Sequence, residues 1–174
     1  MTSGVIVLAR TSKAADRLNK QFAAKSKSAD PSKLRKEYWA IVRAEPNRSA
    51  QLANKDTWSD WLYKDEYAHR MRASVSPRDD AKLAELKYTT LHQSEELAVV
   101  SVFPITGRKH QIRIQFASRG FPVLGDRKYG SQSDWKEGIA LHSRSLTIEH
   151  PTLKKTMTFE CPPPPSWDRY WKNS

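Results

Sequence analysis

The sequence predicts an α+β fold: a mixed, largely antiparallel sheet with flanking helices. Three observations predict it. Short strand-like runs and runs with apolar residues at helical spacing mix without the strict alternation of a doubly wound fold. Two pairs of strand-like runs are joined by short polar turns, which makes them antiparallel neighbours. No internal repeat occurs, and 174 residues with 38% hydrophobic side chains suit one domain covering 1–174 with its own core.

The elements follow in order. Gly4 to Ala9 reads Gly-Val-Ile-Val-Leu-Ala, a short apolar run expected as a strand buried on both faces. Thr11 or Ser12 offers a helix N-cap, and Ala14, Ala15, Leu18 and Phe22 recur at helical spacing up to a Lys/Ser-rich loop at Lys25–Ser32. A second strand is expected over Glu37–Ala44, ending before Glu45-Pro46-Asn47. Residues 45–80 read as an irregular insertion or long connection anchored by Trp58, Trp61 and Tyr63. Leu86–His92 and Leu97–Phe103 form a hairpin across a four-residue loop. A helix is expected over Lys109–Ser118, stopped by Gly120 with Pro122 beyond. The last hairpin pairs Leu141–Glu149 with Thr156–Cys161. The four prolines at 162–165 then hold the tail extended, tacked down by Trp167, Tyr170 and Trp171.

Composition narrows the function. No run approaches the roughly 18 apolar residues of a membrane span, and the first ten residues lack the form of a secretory signal. The single cysteine, Cys161, excludes an internal disulfide framework and zinc sites built on cysteine pairs. A cytoplasmic protein is expected, without membrane association. The net charge of +11 favours a polyanionic partner, nucleic acid ahead of a merely solvated basic surface. The excess is concentrated at the ends: residues 1–50 hold 11 basic and 4 acidic side chains, residues 51–100 hold 7 and 9, and residues 101–174 hold 12 and 6.

The densest polar constellation is Thr106-Gly107-Arg108-Lys109-His110-Gln111-Ile112-Arg113. A glycine loop feeding a helix N-terminus presents unpaired backbone N–H groups, and Arg108 and Lys109 add charge beside them, which suits a phosphate. An exposed basic helix start fits the same spacing equally well. Arg113 lies next to the inward pair Ile112 and Phe116, and if partly buried it needs a carboxylate. His110 and His142 lack companions at metal-ligand spacing, so no metal is expected. Cys161 reads as a packed thiol. Tyr38, at the start of a strand, either packs or presents a phenol to a cleft.

Taken together, four stretches resemble the RluA-type RNA pseudouridine synthases. Thr2-Ser3-Gly4-Val5-Ile6-Val7-Leu8-Ala9 is similar to the segment just after that family's catalytic motif. Lys36-Glu37-Tyr38-Trp39-Ala40-Ile41-Val42 is similar to its Lys-x-Tyr strand. Thr106 to Arg113, continuing to Gly125-Asp126-Arg127-Lys128-Tyr129-Gly130, resembles its most specific signature. Leu141-His142-Ser143, His150-Pro151 and Met157-Thr158-Phe159 resemble its closing hairpin.

The resemblance implies an isomerase that detaches uracil from ribose in an RNA chain, turns it and rejoins it through carbon five, without metal or organic cofactor. It implies a flipped-out target nucleotide, with Tyr38 against the base as the candidate for proton transfer. It pairs Arg113 with a nucleophilic aspartate, and gives Lys36, Arg108, Lys109, His110 and Gln111 to RNA binding. The partner is RNA, ribosomal or transfer, and a monomer is the expectation. In the family's pattern His-Arg-Leu-Asp-Arg-x precedes Thr-Ser-Gly, so the aspartate is expected two residues before Met1 and the chain resembles an N-terminally truncated catalytic domain, inactive by itself. None of the ten aspartates present fits that role; Asp126 belongs to a Gly-Asp turn. Arg113 deprived of its carboxylate is expected to cost the domain on the order of 3–5 kcal/mol.

Overall fold

The computed structural model describes residues 2–23, 34–45 and 51–170. Eight strands form one sheet: β1 (Ser3–Gly4), β2 (Leu34–Arg43), β3 (Lys55–Asp65), β4 (Arg70–Ser74), β5 (Lys82–Gln93), β6 (Leu97–Pro104), β7 (Leu141–Glu149) and β8 (Thr156–Glu160). Their order is β1-β7-β2-β6-β5-β3-β4, with β8 also on β7. Among the described residues only the β1–β7 pairing is parallel. Two helices, α1 (Ser12–Ala23) and α2 (Gln111–Ala117), flank the sheet.

Strand β2 lies at the centre because it can be buried on both faces: Ala40, Ile41 and Val42 are fully enclosed, the near-continuous apolar run such a position requires. With Val99, Val100, Val102, Leu86 and Tyr88 from β5 and β6 it forms the main core, closed by Ile112 and Phe116 of α2. Trp58, Tyr88 and Phe116 meet there at ring-centroid distances of 4.6–5.6 Å, within the favourable range for aromatic pairs. Helix α1 is capped by Thr11, whose Oγ1 accepts from the Ala14 N–H at 3.2 Å. Its Leu18 packs in a smaller cluster with Leu146, Ile148, Val5, Val7 and Leu34. The tail is fastened by Trp167, 1% exposed, and Tyr170 also packs on the core.

Three expectations are corrected. The apolar run after Gly4 is a strand only at Ser3–Gly4. Beyond it Val5 and Val7 face α1 and β7, whereas Ile6 and Leu8 are 77% and 80% exposed, because described structure covers only one of its faces. Residues 45–80 are not irregular: β3 and β4 occupy much of the stretch. The inward positions of β3 are Trp58, Asp60 and Leu62, and a carboxylate at the middle one disguises the alternation of a half-buried strand. The acid is tolerated because Arg119 pairs with it at 2.9 Å and Gln115 Nε2 donates to it at 2.6 Å. Helix α2 begins at Gln111, two residues late, because His110 takes left-handed backbone angles of φ 57° and ψ 22°. The Lys25–Ser32 loop, Pro46, Asn47 and Trp171 lie outside the described residues.

Candidate active site

Three pieces of chain meet beside the centre of the sheet. Lys36 and Tyr38 stand two apart on β2, hence on one face of it. Opposite them Glu37 pairs with Ser145 and Tyr38 with Ser143, so Arg144 is a bulge that bends β7 locally. The loop from Pro104 to Arg108 and the first turn of α2 close over them, with Leu141 of β7 and Thr2 completing the wall. Together they enclose a cavity of about 320 Å³, large enough for a nucleobase-sized ligand by the usual scale of small-molecule pockets.

Thr2 is held at that wall by its neighbours. Gly4 has φ 103°, and a Cβ there would sit 2.2 Å from the Ser143 carbonyl oxygen, so only glycine lets β1 approach β7 this closely. Ser143 in turn hydrogen-bonds the Tyr38 phenol. Burial pushes the Tyr38 pKa up, opposed by that hydrogen bond, and the phenol stays protonated through neutral pH. Burial also lowers Lys36, whose Nζ meets no carboxylate among the described residues.

The roof loop is set by Gln111. Its Oε1 accepts from the Thr106 hydroxyl at 2.7 Å and the Arg108 N–H at 3.0 Å, and its Nε2 donates to the Glu85 carbonyl at 2.9 Å. The side chain is 4% exposed. Expected as an RNA contact, Gln111 instead spends its amide on holding the loop, because a glycine turn entering a helix leaves backbone groups that need partners. Arg108 lies at the surface with Nε donating to the Leu83 carbonyl at 2.9 Å, and Lys109 is exposed beside it.

Arg113 is not deprived of a carboxylate. Its Nε and Nη2 donate to the two carboxylate oxygens of Asp126 at 2.6 and 2.8 Å, a fork that is strong as well as directional. Asp126 is 1% exposed. It is delivered by Gly125, where φ is 81° and a Cβ would lie 2.5 Å from the Gly138 oxygen. The hydrogen bond to Asp126 raises the Arg113 pKa, so the guanidinium is a permanent cation. The expected loss of 3–5 kcal/mol therefore does not apply. The fork occupies Nε and Nη2, and Nη1 keeps no partner among the described residues.

His110 Nδ1 lies 2.7 Å from the Tyr129 hydroxyl. Burial first, then Arg113, Lys128 and Lys109, lower the His110 pKa against the opposing charge of Asp126, so the ring is neutral at pH 7. The Arg113 guanidinium sits 4.9 Å above the Tyr129 ring. Sequence reading missed Tyr129, Ser143 and the pairing role of Asp126. The Gly125-Asp126 and Tyr129-Gly130 pairs were visible as motif, but nothing in the spacing ties residue 126 to residue 113.

Among the described residues no group of three or more His, Cys, Asp and Glu side chains is placed to hold a metal ion, and no helix is long and apolar enough to cross a membrane. The chemistry on offer is a protonated phenol, a fixed guanidinium with a spare edge, and a rim of Lys and Arg around a nucleobase-sized space.

Comparison with known proteins agrees with that inventory. Residues 1–118 match the family described as RNA pseudouridylate synthase. The dual-specificity RNA pseudouridine synthase RluA of Escherichia coli K12 is 34% identical over 164 residues, covering 92% of this chain and 68% of the relative. An uncharacterised RNA pseudouridine synthase of Bacillus subtilis is 31% identical over 94% of the chain, which spans half of that relative's length. The fold of human RNA pseudouridylate synthase domain containing 4 superposes with a TM-score of 0.67 at 22% identity, over 93% of this chain and 67% of that one. Human RNA pseudouridylate synthase domain containing 1 superposes with a TM-score of 0.66 at 24% identity, and this chain spans 63% of its length. The chain belongs to the RNA pseudouridine synthases of the RluA type, a family of isomerases.

Proposed function

We propose that the enzyme built on this domain binds and isomerises uridine in structured RNA, ribosomal or transfer, as a cytoplasmic monomer, and that the 174-residue chain by itself binds RNA without turning the base. The observation that carries the reading is that Tyr38 and Arg113, far apart in sequence, line one cavity rimmed by Lys36, Arg108 and His110. An unrelated basic nucleic-acid-binding protein would have no reason to bring a tyrosine and an ion-paired arginine together in a concave site.

The isomerisation breaks the N1–C1′ bond, forms a C5–C1′ bond, removes a proton from C5 and adds one to N1. Tyr38 is assigned to the base, with its phenol hydrogen-bonded to Ser143 as the group through which that proton can pass. Arg113 is assigned to the nucleophilic carboxylate, with Nη1 as the donor the Asp126 fork leaves over. Among the described residues no carboxylate lines the cavity, and Thr2 forms part of its wall. Lys36, Arg108, Lys109 and His110 are assigned to RNA phosphates; Gln111 is assigned to positioning their loop.

That no carboxylate among the described residues lines the cavity favours a second reading, an RNA-binding module that does not turn the base. One experiment separates the two. The 174-residue chain and a version extended upstream by His-Arg-Leu-Asp-Arg are assayed for pseudouridine formation in bulk ribosomal and transfer RNA. The extended form is expected to be active and the shorter one to bind RNA only. Tyr38→Phe and Arg113→Ala in the extended form should each lower turnover at least a hundredfold with RNA affinity largely kept. Loss of affinity with unchanged turnover per bound RNA would refute the assigned roles, and an inactive extended form would leave the second reading standing.

A further inference from the structure

Glu37 stands directly behind the cavity, and none of the roles assigned above uses it. It separates Lys36 from Tyr38 on β2, so strand alternation turns its side chain to the opposite face of the sheet. There it collects donors from three strands. Its Oε1 accepts from the Ser101 hydroxyl of β6 at 2.7 Å and from the Trp39 indole N–H of its own strand at 2.8 Å. Its Oε2 accepts from the Ser145 hydroxyl of β7 at 3.2 Å. Ser101 is 4% exposed, a buried hydroxyl that calls for an acceptor.

The place of this cluster matters because the ladder beside Tyr38 is interrupted. Glu37 pairs with Ser145 and Tyr38 with Ser143, which leaves Arg144 as the extra residue, and a bulge disrupts the ladder where it sits. Arg144 is committed elsewhere. Its carbonyl accepts from the Cys161 N–H at 2.9 Å, and its guanidinium lies 5.6 Å over the Trp39 ring and reaches Glu160 at 3.3 Å. On the other side the register is regular, with Tyr38 opposite Val102 and Trp39 opposite Ser101. The carboxylate therefore spans the step at which the β2–β7 pairing is broken, joining β6 to β7 behind the tyrosine that lines the cavity. Proton transfer through a phenol needs its oxygen within about 2.6–3.2 Å of the atom concerned. A misplacement of about 1 Å can cost a hundredfold, so support from behind the sheet bears on the chemistry in front of it.

We propose that Glu37 is a positioning residue for Tyr38: by joining Ser101, Trp39 and Ser145 behind the sheet it bridges the bulge at Arg144 and holds the tyrosine in one orientation at the cavity wall. The proposal rests on the reading of Tyr38 as the residue set against the base, and names what keeps it there. Glu37 faces away from the cavity and acts only through the strand that carries both residues.

The test uses the full chain, alone and with a uridine-containing RNA stem-loop. Carbon-13 relaxation dispersion reads the Tyr38 ring, with Tyr88 of the core, 3% exposed, as the internal control. Glu37→Ala should raise microsecond-to-millisecond exchange at Tyr38 above the wild-type level and leave Tyr88 unchanged. Bound RNA should shift the Tyr38 ring signal in the wild type. In Glu37→Ala that shift should fall by about half or more while RNA affinity stays within about twofold. Glu37→Gln should restore the wild-type behaviour, because its Oε1 can accept from Ser101 and Trp39 while its amide donates to the Ser145 hydroxyl. Ser145→Ala removes only the β7 bond and should give the same exchange in weaker form; it decides the matter if Glu37→Ala does not fold. A Tyr38 as quiet as in the wild type overturns the proposal and leaves the assignment of Tyr38 to the base intact. Exchange that rises at Tyr38 and Tyr88 alike overturns it too, as general loosening, and so does a Glu37→Gln that behaves like Glu37→Ala. A wild-type Tyr38 ring that the stem-loop does not shift overturns the assignment to the base, and the positioning role with it.

Discussion

Arg113 shows how a single partner changes the meaning of a residue. An arginine beside Ile112 and Phe116 is half-sheltered, and a lone guanidinium there would be a liability; with Asp126 behind it, it becomes a fixed positive wall. The pair is asymmetric, since Asp126 is 1% exposed and Arg113 17%. The carboxylate is therefore the member that cannot return to water. Asp126→Ala removes the fork that holds the guanidinium in place, and urea unfolding should show a loss of about 3–5 kcal/mol, with turnover in the extended form falling as Arg113 loses its orientation. The need for a carboxylate at Arg113 was legible from its flanking apolar residues. Its identity was not, because a contact across thirteen residues of turn depends on how Gly120, Gly125 and the intervening loop fold, not on any local period.

At the scale of elements, β6, β7 and β8 were legible to within a residue, whereas β2 and β5 begin three and four residues before their expected starts. Strand β7 spans Leu141–Glu149 as expected, and β8 differs from expectation by one residue. Strand β3 was hidden by Asp60, whose stabilising partners Arg119 and Gln115 lie on and just after a helix more than fifty residues away. The run after Gly4 misled in the opposite direction: four consecutive apolar residues suggest burial on both faces, but burial also needs something to cover the second face. The loop 104–110 is an element in its own right, and Gln111 is its internal brace. Gln111→Ala leaves the Thr106 hydroxyl and the Arg108 N–H without their acceptor, and should cost about 1–3 kcal/mol in thermal or urea unfolding. RNA affinity would fall because the loop loosens, so stabilising the loop with saturating RNA should recover much of the lost melting temperature. A direct contact residue would instead lower affinity and leave the stability of the free chain unchanged.

For the whole molecule the relevant quantity is how the charge of +11 is distributed. Much of the acid is already neutralised locally: Asp60 by Arg119, Asp65 by Arg72, Asp80 by Arg78 and Asp126 by Arg113. The cations around the cavity are fewer in partners, and these set the electrostatic footprint. Binding to RNA should weaken as salt rises, log affinity falling linearly with log salt. Lys109→Ala should reduce the steepness by roughly 0.7–0.9, the value of one phosphate contact. Arg78→Ala should leave it unchanged, because that guanidinium is committed to Asp80 and stacked 3.9 Å over Tyr63. Composition announced a polyanionic partner correctly at the level of class. It could not say which of the thirty cations face it, since that follows from ion pairs made between distant segments.

One buried side chain ties both ends of the described fold together. His142, 1% exposed, meets the Ser3 hydroxyl at 2.8 Å through Nδ1 and the Cys161 carbonyl at 3.0 Å through Nε2. The backbone repeats the link on either side, with the Val5 N–H on the Ser143 carbonyl and the Cys161 N–H on the Arg144 carbonyl. The imidazole thus joins β1, β7 and the residue after β8 in one hydrogen-bonded unit. Strands β1 and β8 both pair with β7, so the wall that Thr2 gives to the cavity is fastened to the same strand that carries the last hairpin. Slack introduced just after β8 would reach the cavity wall through two hydrogen bonds.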